Sequence, residues 1–147
     1  MWGMVISIIS GMLMALQGVF NTQVTKQTSE WVSASFVQLS ALVVCLAAWF
    51  VTGRESSFSG IFHVRPLYLL LGGVMGAFIT YTVIVGMEQL GPAKATLFII
   101  AAQLIAAYAV DLFGWFGAEK VGFDWLKLAG VAVFIAGIVL FKWKELF

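Results

Sequence analysis

WVSASFVQLSALVVCLAAWFVTG, residues 31–53, contains no Asp, Glu, Lys or Arg. An α-helix rises about 1.5 Å per residue, so about 20 apolar residues cross the ~30 Å hydrocarbon layer of a bilayer. This stretch is long enough to do so alone. Working outward, Met1 to Thr25 is equally free of charge, as is Pro66 to Met87. Ala95 to Val110 is a fourth such run, closed at once by Asp111, and Leu128 to Phe141 is a fifth, flanked by Lys127 and Lys142. Lysines at such ends snorkel toward the headgroups and lengthen the usable span. The runs predict five helices, over about 2–22, 31–52, 66–88, 92–113 and 124–143.

Composition agrees. Of 147 residues, 62% are hydrophobic and only 10% charged, against about 25% charged in an ordinary soluble domain. Mean hydropathy is +1.03. A soluble fold of this size cannot hide so much apolar surface. A net charge of +1 leaves no basic field for a nucleic-acid partner. Cys45, the single cysteine, excludes an intrachain disulfide. The expectation is an all-α integral membrane protein with the lipid bilayer as its first partner, in one five-helix transmembrane domain over 1–147.

Trp2, Trp31, Trp49, Trp115, Trp125 and Trp143 all fall near a predicted helix end, the headgroup level that amphipathic indoles favour. Pro66 suits a first helical turn, and Gly91-Pro92 marks the turn into the fourth helix. A cleaved signal peptide needs a positive n-region, and here the first positive charge is Lys26, after the apolar run.

Five spans place the termini on opposite sides. One side then carries Arg54, Arg65, Lys120 and Lys127, and the other Lys26, Lys94, Lys142 and Lys144. An excess of Lys and Arg on the cytoplasmic side normally sets orientation, and no excess exists. Either one helix boundary lies elsewhere, or a few charges near the first spans decide, or copies insert both ways and pair head to tail. Inverted repeats around a midplane site are a common transporter plan. Small residues four or seven apart (Gly11/Ala15, Gly72/Gly76, Gly73/Ala77, Ala102/Ala106, Ala132/Ala136, Gly130/Gly137) offer close helix contact, most of it expected within the chain.

Polar residues within apolar spans face a bundle interior or a wet cavity. Gln17 and Asn21 lie one turn apart on helix one, Ser35 and Gln38 on helix two, Thr80 to Thr82 with Tyr81 on helix three, and Thr96 and Gln103 on helix four. Gln17, Asn21, Gln38, Tyr81 and Gln103 are the candidate lining of a path for a neutral or weakly charged small organic substrate. The competing reading makes them interhelical glue. Asp111, near the end of helix four, is the candidate ion relay, because burial would raise its pKa. Its alternative is a hydrated interfacial acid. Glu88 reads as a solvated cap. His63 is the sole histidine, so no metal cluster, Ser/His triad or other enzyme constellation is expected. No cofactor motif is present.

Three segments, ALQGVFNTQV (15–24), LGPAKATLFIIAAQLIAAYAVDLFGWFG (90–117) and KLAGVAVFIAGIVL (127–140), resemble the YdcZ-like family of the drug/metabolite transporter superfamily. Its members are described as inner-membrane exporters of bacteria. The most specific match is helix four: the Leu-Gly turn, a Thr, Gln103, and the exit Asp111-x-Phe113-Gly114-Trp115-Phe116-Gly117. The resemblance implies a multi-pass protein of the cell membrane, one half of an inverted-repeat transporter, working as an antiparallel pair with its own copy or a paralogous five-helix partner. The small multidrug resistance transporters of the same superfamily use a glutamate in mid helix one for proton coupling. Gln17 stands in the comparable region here, so that mechanism does not carry over. The alternative from another class is a non-transporting subunit that stabilises or regulates a larger membrane complex.

Overall fold

A computed structural model describes residues 1–54 and 56–141. Its helices are α1 (Trp2–Thr25), α2 (Glu30–Val51), α3 (Gly72–Leu90), α4 (Pro92–Phe113) and α5 (Trp125–Phe141). Short 3-10 turns cover Phe58–His63, Leu67–Leu71 and Trp115–Gly117. No strand occurs among the described residues. Four apolar segments are long enough to cross a membrane: Trp2–Thr25, Glu30–Val51, Leu67–Leu90 and Pro92–Phe113. The fifth apolar helix, Trp125–Phe141, has 17 residues, about 26 Å of rise. The chain is an all-α membrane protein.

The expected limits hold to within a turn, with one change of character. The third span begins as a 3-10 turn over Leu67–Leu71 and becomes α-helical only at Gly72. Pro66 stands at the cap position before that turn rather than inside it. Residues 142 and 143 of the fifth predicted helix, with Trp143, lie outside the described residues. The other five tryptophans sit where expected. Trp2, Trp31 and Trp125 occupy the first or second position of their helices, Trp49 the last turn of α2, and Trp115 the exit of α4.

Helix ends follow local chemistry. Ser29, extended at φ −153°, accepts the Val32 N–H on its hydroxyl at 3.3 Å and caps α2. Gly91 ends α3 at φ +79°, a backbone state that favours glycine, and Pro92 opens α4, where its missing N–H costs nothing. Gly114, at φ +67°, ends α4 with its N–H on the Val110 carbonyl at 2.8 Å. Asp124 Oδ1 accepts the Leu126 N–H at 2.8 Å and starts α5.

The chain forms two compact units, Met1–Pro92 and Ala93 onward. In the first, α1, α2 and α3 pack on one another, and burial gathers at one end: Gly18, Asn21, Thr22 and Thr25 of α1, Ser33 and Ala34 of α2, Ile84 and Met87 of α3. Ile84 is completely covered. The remaining helix surface presents large apolar side chains outward, Met12, Leu13, Phe36, Val44, Val74 and Phe78 among them. In a bilayer that surface meets acyl chains. The second unit is α4, its folded-back exit and α5. Val121 N–H donates to the Asp111 carbonyl at 2.8 Å, and the Phe113 and Trp115 rings stack at 4.9 Å.

Small residues serve packing at fewer places than expected. A Cβ built on Gly11, Gly72, Gly73, Gly130 or Gly137 meets nothing within 4 Å. Close approach occurs at Gly76, one of the expected residues, 3.3 Å from Gln38 Nε2, and at Gly18, which was not among them, where a Cβ would stand 2.5 Å from Met87 Cε and 3.1 Å from Val83 Cγ1. Spacing marks a helix able to approach another closely; it does not say which helix arrives. Met87 is flexible and swings aside for one methyl, but not for a branched side chain. We therefore expect Gly18→Ala to melt near wild type in detergent, and Gly18→Leu to lose about 1–3 kcal/mol by overpacking. Equal melting of the Leu variant would show that α1 and α3 do not meet at Gly18.

Candidate functional site

A hydroxyl in hydrocarbon needs an acceptor, and the nearest is a carbonyl one turn back on its own helix. Ser7 donates to Gly3, Thr22 to Gly18, Thr25 to Asn21, Thr80 to Gly76 and Thr82 to Phe78, all at 2.8–2.9 Å. These groups are self-satisfied. Ser33 and Gln38 of the first unit make hydrogen bonds between helices. Ser33 Oγ donates to the Asn21 carbonyl at 3.0 Å, and Gln38 Nε2 donates to Thr80 Oγ1 at 3.4 Å. Beside the second contact, Tyr81 stacks on Trp31 with ring centroids 4.5 Å apart and an interplanar angle of 18°.

Of the candidate path residues, Gln17 and Asn21 come together. They share a stripe of α1 with Ser10 and Met14 and line a groove of about 590 Å³ with Ile6, Ile9, Leu13, Leu16 and Phe20. Gln17 is exposed, while Asn21 is buried and its carbonyl accepts from both Thr25 and Ser33. Gln38 and Tyr81 lie elsewhere, half-buried in the seam between α2 and α3, Gln38 on Thr80 and Tyr81 on Trp31. Gln103 is exposed on α4 in the second unit. Asp111, also exposed, lines a cleft of about 340 Å³ with Leu104, Ala107 and Tyr108 of α4 and Lys127, Gly130 and Val131 of α5. Glu88 is exposed, as expected of a cap, and shares a smaller cleft of about 210 Å³ with Lys26, Thr22, Gln23 and Pro92.

Sequence reasoning passed over Ser33, Trp31, Tyr108 and Lys127. A usable signal existed for one of them: Trp31, Ala34 and Gln38 follow the 3-then-4 spacing of one helix face, the face that α2 turns to Tyr81 and Thr80. Ser33 had no such signal, because its acceptor is a backbone carbonyl, and every residue has one.

Apolar helices of bilayer length, ringed by tryptophan and interrupted by a few carboxamides and one interfacial acid, define a multi-pass membrane protein with a polar face. The family model described as "Putative inner membrane exporter, YdcZ" matches residues 2–140, and the chain belongs to that family. It is a multi-pass protein of the inner membrane, and membrane export is the function class this membership supports, in preference to catalysis. No curated protein and no solved structure matches the chain.

The seam contact yields a stability test. Ser33→Ala removes the one hydroxyl that ties α2 to the α1 backbone and should lower stability by about 0.6–1.7 kcal/mol. Thr82→Ala, which loses only a bond to its own helix, should change melting far less. A reversed order would mean that the α1–α2 contact is not held by Ser33.

Proposed function

We propose that the chain is one five-helix half of an exporter of a small organic molecule. Two halves would pair antiparallel, with the chain's own copy or a paralogous partner, and alternate access by rocking against one another. The observation that carries this reading is the stripe of Gln17 and Asn21 on α1, which opens on a groove while the helix around it is apolar. A carboxamide offers both a donor and an acceptor and no fixed charge, which suits a neutral or weakly charged solute. Gln103 on α4, and Gln38 and Tyr81 in the α2–α3 seam, are the further candidate path residues. Asp111, in the last turn of α4, is the candidate for ion coupling.

Pairing is supported by two features. The Lys and Arg count stands four against four if α5 spans, so neither orientation is favoured. Gly11, Gly72, Gly73, Gly130 and Gly137 also present open backbone on which another helix can seat closely.

Orientation is tested on a Cys45→Ala background carrying Gln27→Cys, an exposed position whose replacement leaves the Lys and Arg count unchanged. A membrane-impermeant maleimide applied to intact cells should label about half of the population, and permeabilisation should expose the rest. Labelling of all copies or of none would exclude insertion in both directions and point to a paralogous partner. The path is tested by comparing the solutes released by cells expressing wild type and Gln17→Leu. The variant should insert and melt normally and lose export. Equal export by both would remove Gln17 from the path.

A further inference from the structure

We propose that the cleft between the end of α4 and the start of α5 binds a zwitterionic group, its ammonium on Asp111 and its anion on Lys127. The site goes beyond the path residues above and lies within the second unit. Asp111 is in the last turn of α4 and Lys127 in the first turn of α5, and both line the same cleft of about 340 Å³. That volume is at the small end of the range for ligand pockets, about 300–1,000 Å³.

The two charges do not satisfy each other. Among the described residues, neither the Asp111 carboxylate nor the Lys127 ammonium has an ionic or hydrogen-bonding partner. Yet they line one space whose other walls are Leu104, Ala107, Gly130 and Val131, with the phenol of Tyr108. Both side chains are exposed at helix ends, where a ligand from the headgroup layer can reach them. A cation alone would compensate Asp111 and be repelled by Lys127; an anion alone would do the reverse. A ligand bearing both signs compensates both.

Two ties hold the connection between α4 and α5 to the end of α4 beside this cleft. The Val121 N–H is on the Asp111 carbonyl at 2.8 Å, and the Tyr108 hydroxyl stands 3.5 Å from both the Asp124 carbonyl and its N–H. The Asp124 side chain in turn starts α5 through the Leu126 N–H. These contacts fix the loop that places Lys127 opposite Asp111, and the Tyr108 phenol lines the space between. Ala107 and Gly130 provide the room, since a Cβ at Gly130 meets nothing within 4 Å.

A zwitterion of this type has two sources: the headgroup of a phosphatidylethanolamine, which sits at this depth of the bilayer, and a free amino acid. The probes are a short-chain phosphatidylethanolamine and leucine, with short-chain phosphatidylglycerol as the anionic control. Each is titrated into the full chain purified in a maltoside detergent, with binding read by ligand-observed NMR. This measurement succeeds or fails whether or not the protein exports anything. We expect one of the two zwitterions to saturate the wild type, the lipid if the site reads headgroups and leucine if it reads free solutes. Asp111→Asn and Lys127→Gln should each weaken binding about tenfold or more, the usual loss for a hydrogen bond to a charged group. Gly130→Leu should abolish it by filling the cleft. The exchanged pair, Asp111→Lys with Lys127→Asp, should recover part of it, because the ligand can turn around. The proposal is overturned if neither zwitterion saturates the wild type, or if phosphatidylglycerol binds as well as they do. It is equally overturned if well-folded neutralised variants bind like wild type. The comparison of lipids on the unmodified protein decides the matter should a variant fail to fold.

Discussion

Every polar group placed in hydrocarbon must find its partner within the protein, because no water is there to supply one. That requirement makes the backbone helical throughout the spans, and it also governs the side chains. Hydroxyls of α1 and α3 turn back onto carbonyls of their own helices. They therefore add little to tertiary structure. Ser33 and Gln38 are the side chains of the first unit that bond across to another helix. Both lie on α2, which binds α1 through one and α3 through the other.

Packing shows the same economy of contact. Lipid tails are as apolar as leucine, so burying a leucine between helices gains nothing from the hydrophobic effect, and association rests on close fit. Close fit is concentrated at one end of the first unit, where Gly18 admits Met87 and Ile84 is enclosed. Along the rest of α1 a groove remains, and the polar stripe of Gln17 and Asn21 opens on it. Gln17 is exposed on that groove, while Asn21, at its closely packed end, is buried.

Much of this was legible in the residues. Runs without charge located the helices because exclusion of charge is a property of each span alone. The same holds for the tryptophans and for Gly91-Pro92, whose effects are local. The family was legible too, chiefly in the exit of α4 from Asp111 to Gly117. What stayed hidden depends on which helix meets which. The glycine stripes predicted contacts, and Gly11, Gly72 and Gly73 face open space while Gly18 makes the tight one. Gln38 was marked as polar within a span, but its bond to Thr80 needs the register between α2 and α3, which no local pattern encodes. Lys127 read as a snorkelling end residue, and only the fold of the 114–124 connection sets it across a cleft from Asp111.

The central claim is that the stripe of α1 bearing Gln17 is wet in the membrane. Water accessibility at that depth tests it most directly. On a Cys45→Ala background, Gln17→Cys and Met12→Cys are each reconstituted in liposomes and treated with a small water-soluble maleimide. Met12 is exposed but lies off the groove, so it reports the lipid-facing surface of the same helix. The account predicts rapid modification at 17 and little at 12. No reaction at either position would mean that the stripe is packed or lipid-covered, and that the carboxamides of this chain hold helices together without lining a path.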